Sequence, residues 1–162
     1  MAAPNITHQR ISGNVYFILR NHLQNNTCDL FTAPFDVRLL LPSHKKKDNK
    51  IDTVVQPDLC VICDENKLDK QGCVGAPDLI VEILSPGNSR REMRDKFELY
   101  EEAGVLEYWI IDPERRAVFV YILDEKMHKF GAKLPILTDE DVLTSTLFEG
   151  LEVDLREVFP AE

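Results

Sequence analysis

Six residues, Leu79-Ile80-Val81-Glu82-Ile83-Leu84, constrain this chain more than any other stretch. The run is apolar except for one acid, the pattern of a strand covered on both faces, where an unpaired ionised carboxylate costs several kcal/mol. Glu82 therefore requires a compensating partner. An earlier apolar stretch, Pro57-Asp58-Leu59-Cys60-Val61-Ile62, also carries an acid. Side chains alternate along a strand, so Asp58 shares a face with Cys60 and Ile62, and Glu82 with Ile80 and Leu84. If the two strands are neighbours in register, the two acids converge, and such a pair either shares a proton or binds a cation.

The segment that follows supplies a third group. Ser89-Arg90-Arg91-Glu92 fits the capping box S-x-x-E after the break Pro86-Gly87-Asn88, which predicts a helix from about Arg90 to Ala103 that stops at Gly104. Its inward stripe reads Met93, Lys96, Phe97 and Tyr100. A lysine in such a stripe either snorkels its amine outward or turns it toward the two acids, and the spacing leaves both open.

The chain has 162 residues, the size of one domain, and the reading is a single domain over 1–162. No apolar stretch approaches the roughly 18 residues of a membrane span, and Met1-Ala2-Ala3-Pro4 is no signal peptide, so a cytoplasmic protein with no membrane partner is expected. A formal net charge of −9 argues against gripping nucleic acid by bulk electrostatics, while leaving room for a local basic groove or a metal site. Cys28, Cys60, Cys63 and Cys73 are too few and too irregular for a secreted disulfide framework. Cys60-x-x-Cys63 has the spacing of a redox or zinc pair, but on a strand the two face opposite sides, so both are read as structural.

Ile11, Val15, Ile18, Leu19 and His22 recur near helical spacing and predict a first helix over Ile6 to Leu23. Strands are expected over Phe35 to Leu41 and Ile51 to Ile62, separated by a solvated loop from Pro42 to Lys50 that holds Lys45-Lys46-Lys47. The short return from Asp64 to Ala76 favours antiparallel pairing of the Asp58 and Glu82 strands. Glu107 to Asp112 and Ala117 to Leu123, joined by a turn from Pro113 to Arg116, read as a hairpin. Asp124 to Pro135 is left as a turn with a short strand, Thr144 to Val153 holds one more strand, and Leu155 to Phe159 a helical turn. The order gives an α/β fold, a mixed sheet with a layer of helix on each face.

Gln56-Pro57-Asp58, the run Pro77-Asp78-Leu79-Ile80-Val81-Glu82-Ile83-Leu84-Ser85-Pro86, then Asp95-Lys96-Phe97-Glu98-Leu99-Tyr100, Ala103-Gly104-Val105 and Glu107-Tyr108-Trp109 resemble the Uma2 family of endonuclease-like proteins, over about His8 to Phe159. The resemblance implies the PD-(D/E)xK restriction-endonuclease-like fold and a phosphodiesterase acting on DNA with Mg²⁺ or Mn²⁺. By it, Asp58 and Glu82 hold the metal and Lys96 orients the attacking water. Leu84 stands where the plain motif has lysine, and the resemblance moves that role to Lys96 on the next helix. His8 and Gln9 lie where the family often has histidine and become accessory candidates. The acidic segment common ahead of the family's first helix is absent, which points to one metal ion rather than two.

Other polar residues have plainer readings. Asp78 reads as a loop or cap, Arg90, Arg91 and Arg94 as a solvated helix face, and Tyr108 and Trp109 as core rather than base-stacking platforms. Asp36 is weighed as a core-facing acid on its strand. A second function class is a catalytically inactive descendant of the fold, a binding or assembly module, and the acidic balance also suits a homodimer that concentrates a basic cleft. The weakest reading is a redox or zinc protein through Cys60 and Cys63.

Overall fold

Both long helices form where their sequence signals lie, and each is fixed at its ends. The computed structural model describes residues 5–44, 53–131 and 135–161. Helix α1 spans Ile6–Leu23, its first turn capped by the Asn5 side chain, which accepts from the His8 N–H at 2.8 Å. It buries His8, Ile11, Val15, Leu19 and Leu23, so the inward side starts one turn earlier than the expected Ile11–His22 stripe, at His8, and ends one residue later, at Leu23. Helix α2 spans Arg90–Ala103 with the capping box closed both ways: Glu92 N–H donates to Ser89 Oγ (3.1 Å) and Ser89 N–H to Glu92 Oε2 (2.8 Å). Gly104 ends it at φ 89°, a left-handed geometry that glycine adopts without steric cost.

Between α1 and α2 the described residues form seven strands: β1 (Asp29–Thr32), β2 (Val37–Leu39), β3 (Thr53–Val55), β4 (Leu59–Ile62), β5 (Leu68–Asp69), β6 (Gly72–Val74) and β7 (Leu79–Ile83). After α2 follow β8 (Glu107–Asp112), β9 (Ala117–Asp124), β10 (Lys129–Phe130), β11 (Leu137–Thr138), the hairpin β12 (Val142–Thr144) and β13 (Glu152–Asp154), and helix α3 (Leu155–Val158). The main sheet runs β1-β4-β7-β8-β9-β10 with β11 also on β9, and β7 and β8 are its parallel pair, joined through α2. Strands β4 and β7 pair antiparallel, as the short return between them requires, with Leu59 opposite Val81. One core packs α1 and α3 on Leu59, Val61, Leu79, Val81 and Trp109; a second packs α2, through Tyr100 and Phe97, on Cys60, Ile80, Tyr108 and Ile110.

Five stretches depart from expectation, and in one of them, Thr144 to Val153, the expected strand is instead the connection of a hairpin whose strands β12 and β13 pair at its two ends. The stretch Ile51 to Ile62 is two strands in two sheets, because Pro57 has no N–H to donate and the ladder breaks at Gln56-Pro57-Asp58. Asp58 therefore sits immediately before β4 rather than within it. The expected loop Asp64–Ala76 contains β5 and β6, which join β2 and β3 in a second four-stranded sheet, and the strand expected at Phe35–Leu41 narrows to β2. Strand β1, an edge strand with only partly buried residues, carries too weak an apolar pattern to be read from sequence. Lys45-Lys46-Lys47 lies outside the described residues.

The cysteine reading is also corrected. Cys28 and Cys63 form a disulfide, one step beyond the Asp29–Ile62 pair of the β1–β4 ladder, which clasps the end of that ladder across 35 residues of chain. Cys60 and Cys73 are free and buried, and burial pushes their thiols up to about 12 and about 11. In the folded protein a thiol reagent should modify neither, and after unfolding without reductant it should modify these two alone, as read by intact mass. Reduction should lower stability by up to about 3–4 kcal/mol, the chain-entropy value for a loop of this length, measured by denaturant unfolding with and without dithiothreitol.

Candidate active site

Continuing the β4–β7 register one residue past Leu59–Val81 sets Asp58 against Glu82. Their side chains emerge on the face that α2 covers. Asp58 is oriented by one donor, the Ile83 N–H, which its Oδ2 accepts at 2.7 Å, while its Oδ1 lies 3.2 Å from His8 Nε2 at the start of α1, an ion pair when the imidazole is protonated. Glu82, in the middle of β7, is buried, and both its oxygens are engaged from α2. Lys96 Nζ lies 2.9 Å from Oε2, and the Tyr100 hydroxyl donates to Oε1 at 2.6 Å. Lys96 is 42% exposed and Glu82 only 8%, so the ammonium closes the site from the solvent side.

Burial raises the Glu82 carboxyl above the ordinary carboxylate range; Lys96 opposes that shift by its charge, Tyr100 by its hydrogen bond, and the nearby Asp58 charge adds to it. Tyr100 is itself pushed up, first by burial and then by Glu82, and so stays a neutral phenol that donates. Three other buried acids lack this character, and the first, Asp112, accepts the Glu114 and Arg115 N–H groups of the turn that follows it. Glu107 is satisfied by neutral donors, Trp109 Nε1 at 2.8 Å and Ser145 Oγ at 3.0 Å, while Glu101 binds the Phe130 N–H and Lys129 Nζ, both at 2.7 Å, at the far end of α2. Glu82 alone among them faces a second acid.

The donor set fits a small divalent cation. Asp58 Oδ2 and both oxygens of Glu82 each accept one bond from the protein and keep a second lone pair, and hard oxygen donors suit Mg²⁺, which takes one or two carboxylates and completes its shell with water. The described residues contain no cluster of three or more carboxylate, imidazole or thiol side chains able to hold a metal. His8 is buried, bonded to Asp58 through Nε2, and its Nδ1 has no hydrogen-bond partner.

The sequence candidates thus divide. Asp58, Glu82, Lys96 and His8 come together; Gln9, one residue along the helix from His8, is exposed and stands apart from them. Asp78 caps the end of β4 through the Cys63 N–H (2.7 Å), Asp36 accepts from Gln56 Nε2 (2.7 Å), and Tyr108 and Trp109 are core. Arg90, Arg91 and Arg94 are exposed, Arg91 facing Asp95 at 3.7 Å. Tyr100 is the contributor whose role the sequence left unassigned. Its signal was present, since it follows Lys96 by one turn on the inward stripe and a buried phenol needs a partner.

The fold is thus of the α/β class, a mixed sheet with a helix on each side, in which an acid just before β4 and an acid on β7 lie together and the second meets a lysine from the crossover helix. The chain belongs to the Uma2 family, described as "Putative restriction endonuclease", whose profile matches residues 1–156. Among solved structures it is similar to a protein of Anabaena variabilis ATCC 29413 described as a "putative nuclease belonging to DUF820". That protein is 17% identical, with a TM-score of 0.73 over 98% of this chain and 83% of the other. At that identity the likeness concerns the fold. Comparison with curated proteins gave no match.

Removing the phenol should expose the cost of burying Glu82. Tyr100→Phe leaves Oε1 without its donor and should destabilise the fold by about 1–3 kcal/mol at neutral pH, measured by chemical denaturation. The pH dependence has a fixed sign. Because the folded-state value of Glu82 lies above the unfolded one, the folded state binds the proton more tightly, and its advantage is present at low pH and lost as pH rises through the raised value. Stability relative to Glu82→Gln should therefore fall as pH is raised from about 4.5 in metal-free buffer; a difference that grows with pH would contradict this.

Proposed function

We propose that this protein is a metal-dependent endonuclease that hydrolyses phosphodiester bonds of DNA, with Asp58 and Glu82 as the ligands of Mg²⁺ or Mn²⁺ and Lys96 as the group that orients the attacking water. The observation that carries the reading is the meeting of Asp58, Glu82 and Lys96 from the start of β4, the middle of β7 and the inward stripe of α2. Bound between the two acids, a divalent ion would supply Lewis acidity, lowering the pKa of a water and offsetting charge on the phosphoryl oxygens.

The protein's own groups do the rest. The Ile83 N–H and His8 hold the Asp58 carboxylate in one orientation, which limits the reorganisation needed when a cation arrives. Tyr100 holds one oxygen of Glu82 and leaves the other to Lys96. The Lys96 ammonium answers the charge of Glu82 and, on its flexible stem, could turn toward a water or a phosphoryl oxygen. A buried acid, at a cost in desolvation, with a second half-buried acid beside it favours an active site over an inert binding module, since nothing in packing alone asks for the pair.

Supercoiled plasmid should be nicked or linearised by the purified protein with Mn²⁺ or Mg²⁺ and left intact with EDTA. Asp58→Ala, Glu82→Ala and Lys96→Ala should each lower the rate by about a hundredfold or more while circular dichroism stays unchanged. Binding of Mn²⁺ by calorimetry should be lost in the two acid variants and kept in Lys96→Ala. Cleavage that survives all three substitutions would end the assignment.

A further inference from the structure

The charge of this chain is unevenly distributed. Its 28 acidic residues outnumber 19 basic ones, yet none of the acids precedes Asp29, and the first 28 residues carry Arg10 and Arg20. Eighteen of those residues, with both arginines, form α1. With 3.6 residues per turn, the buried residues His8, Ile11, Val15, Leu19 and Leu23 define the inner side, and Ile6, Arg10, Gly13, Phe17 and Arg20 fall on the opposite side. All five are exposed, Ile6 by 72% and Phe17 by 66%. Neither arginine makes an ion pair or hydrogen bond among the described residues. Nothing lies within 4 Å of where a Gly13 Cβ would stand, so the outward side of the helix is open at its middle, while Asn14 beside it bonds to the Val158 carbonyl of α3. The outcome is a strip about 21 Å long, at about 1.5 Å per residue, with two free guanidinium groups, an exposed phenyl ring and no carboxylate, on a protein of net charge −9.

We propose that this outward face of α1 is the surface on which the nucleic-acid backbone flanking the scissile bond is held, an inference that rests on the nuclease reading. The helix starts at the site, where His8 bonds to Asp58, so a polyanion leaving the Asp58–Glu82 pair past the N-terminus of α1 meets Arg10 one turn on and Arg20 nearly three turns beyond that. The span between the two arginines, about 15 Å, covers about four to five phosphates of one strand. Phe17 lies between them, where an aromatic ring can stack on an unpaired base or cover sugar.

Charge decides between this occupant and a second copy of the chain. Two α1 faces packed together would gather four arginines with no acid to answer them, whereas phosphates supply the missing sign. Helix α2, the other candidate, carries three arginines and a lysine against four glutamates and an aspartate, so its surface offers no comparable field. Arg10 and Arg20 do not touch the reacting atoms. Their effect is on positioning and affinity.

The test measures fluorescence anisotropy of a labelled DNA duplex and of a single strand in EDTA across a salt series, with plasmid cleavage in Mn²⁺ alongside. Arg10→Ala/Arg20→Ala should weaken binding about tenfold for all sequences and reduce the slope of log affinity against log salt by about two, raising KM for cleavage and leaving kcat unchanged. Phe17→Ala should weaken the single strand more than the duplex. Arg156→Ala, whose partner is Asp154, serves as the control and should change nothing. An arginine-pair variant with wild-type affinity and slope, beside normal cleavage, would overturn this inference and leave the nuclease reading standing. A wild-type dimer by light scattering that Phe17→Asp dissociates without affecting DNA affinity would also overturn it. A wild type that neither binds nor cuts DNA would remove both.

Discussion

The buried carboxylate of Glu82 is the constraint on which the rest of this structure depends. A strand as apolar as β7 can hold an acid only if its charge is answered locally, and the answer arrives from one helix, through the Lys96 ammonium and the Tyr100 hydroxyl one turn apart. That requirement fixes how α2 lies on the sheet. The capping box at Ser89 and the left-handed turn at Gly104 then set where the helix begins and ends, so that the inward stripe presents both groups to the same oxygen pair.

Asp58 shows how the second acid is held without being buried as deeply. The break at Pro57 releases it from the ladder, and its carboxylate turns back to accept the Ile83 N–H, next along β7 from Glu82. A bond from a backbone donor is rigid, and with His8 on the other oxygen it keeps an anion beside a carboxylate that burial already makes reluctant to ionise. Two acids in such an arrangement favour a cation between them. The same fold shows the contrast in Glu107, whose charge is absorbed by Trp109 and Ser145 and which faces no second acid.

Much of the architecture was legible. The hydrophobic periods of α1 and α2, the capping box, the hairpin of β8 and β9 and the antiparallel pairing of the two acid-bearing segments follow from patterns a few residues long, because local sterics and hydrogen bonding decide them. The splitting of Ile51 to Ile62 into β3 and β4 was marked by Pro57, yet the apolar residues on both sides outweighed that mark. Strand β1 and the small sheet of β2, β3, β5 and β6 were not legible, since edge strands with mixed burial lack a clean alternation. Cys28 and Cys63 pair because β1 lies beside β4, and spacing along the chain carries no trace of that adjacency.

By itself the sequence determined the chemistry on offer: which strands carry an acid, which helix turns a lysine inward, and where charge is absent, since residue type and period act over one or two turns. The tertiary structure alone decided which offers are taken up. Lys96 could have snorkelled to solvent and Tyr100 could have been packing; only the placement of α2 across β4 and β7 sends both to Glu82. The physical reason is that the cost of a buried charge is met by groups distant in sequence, and their distance in space exists only once the chain has folded.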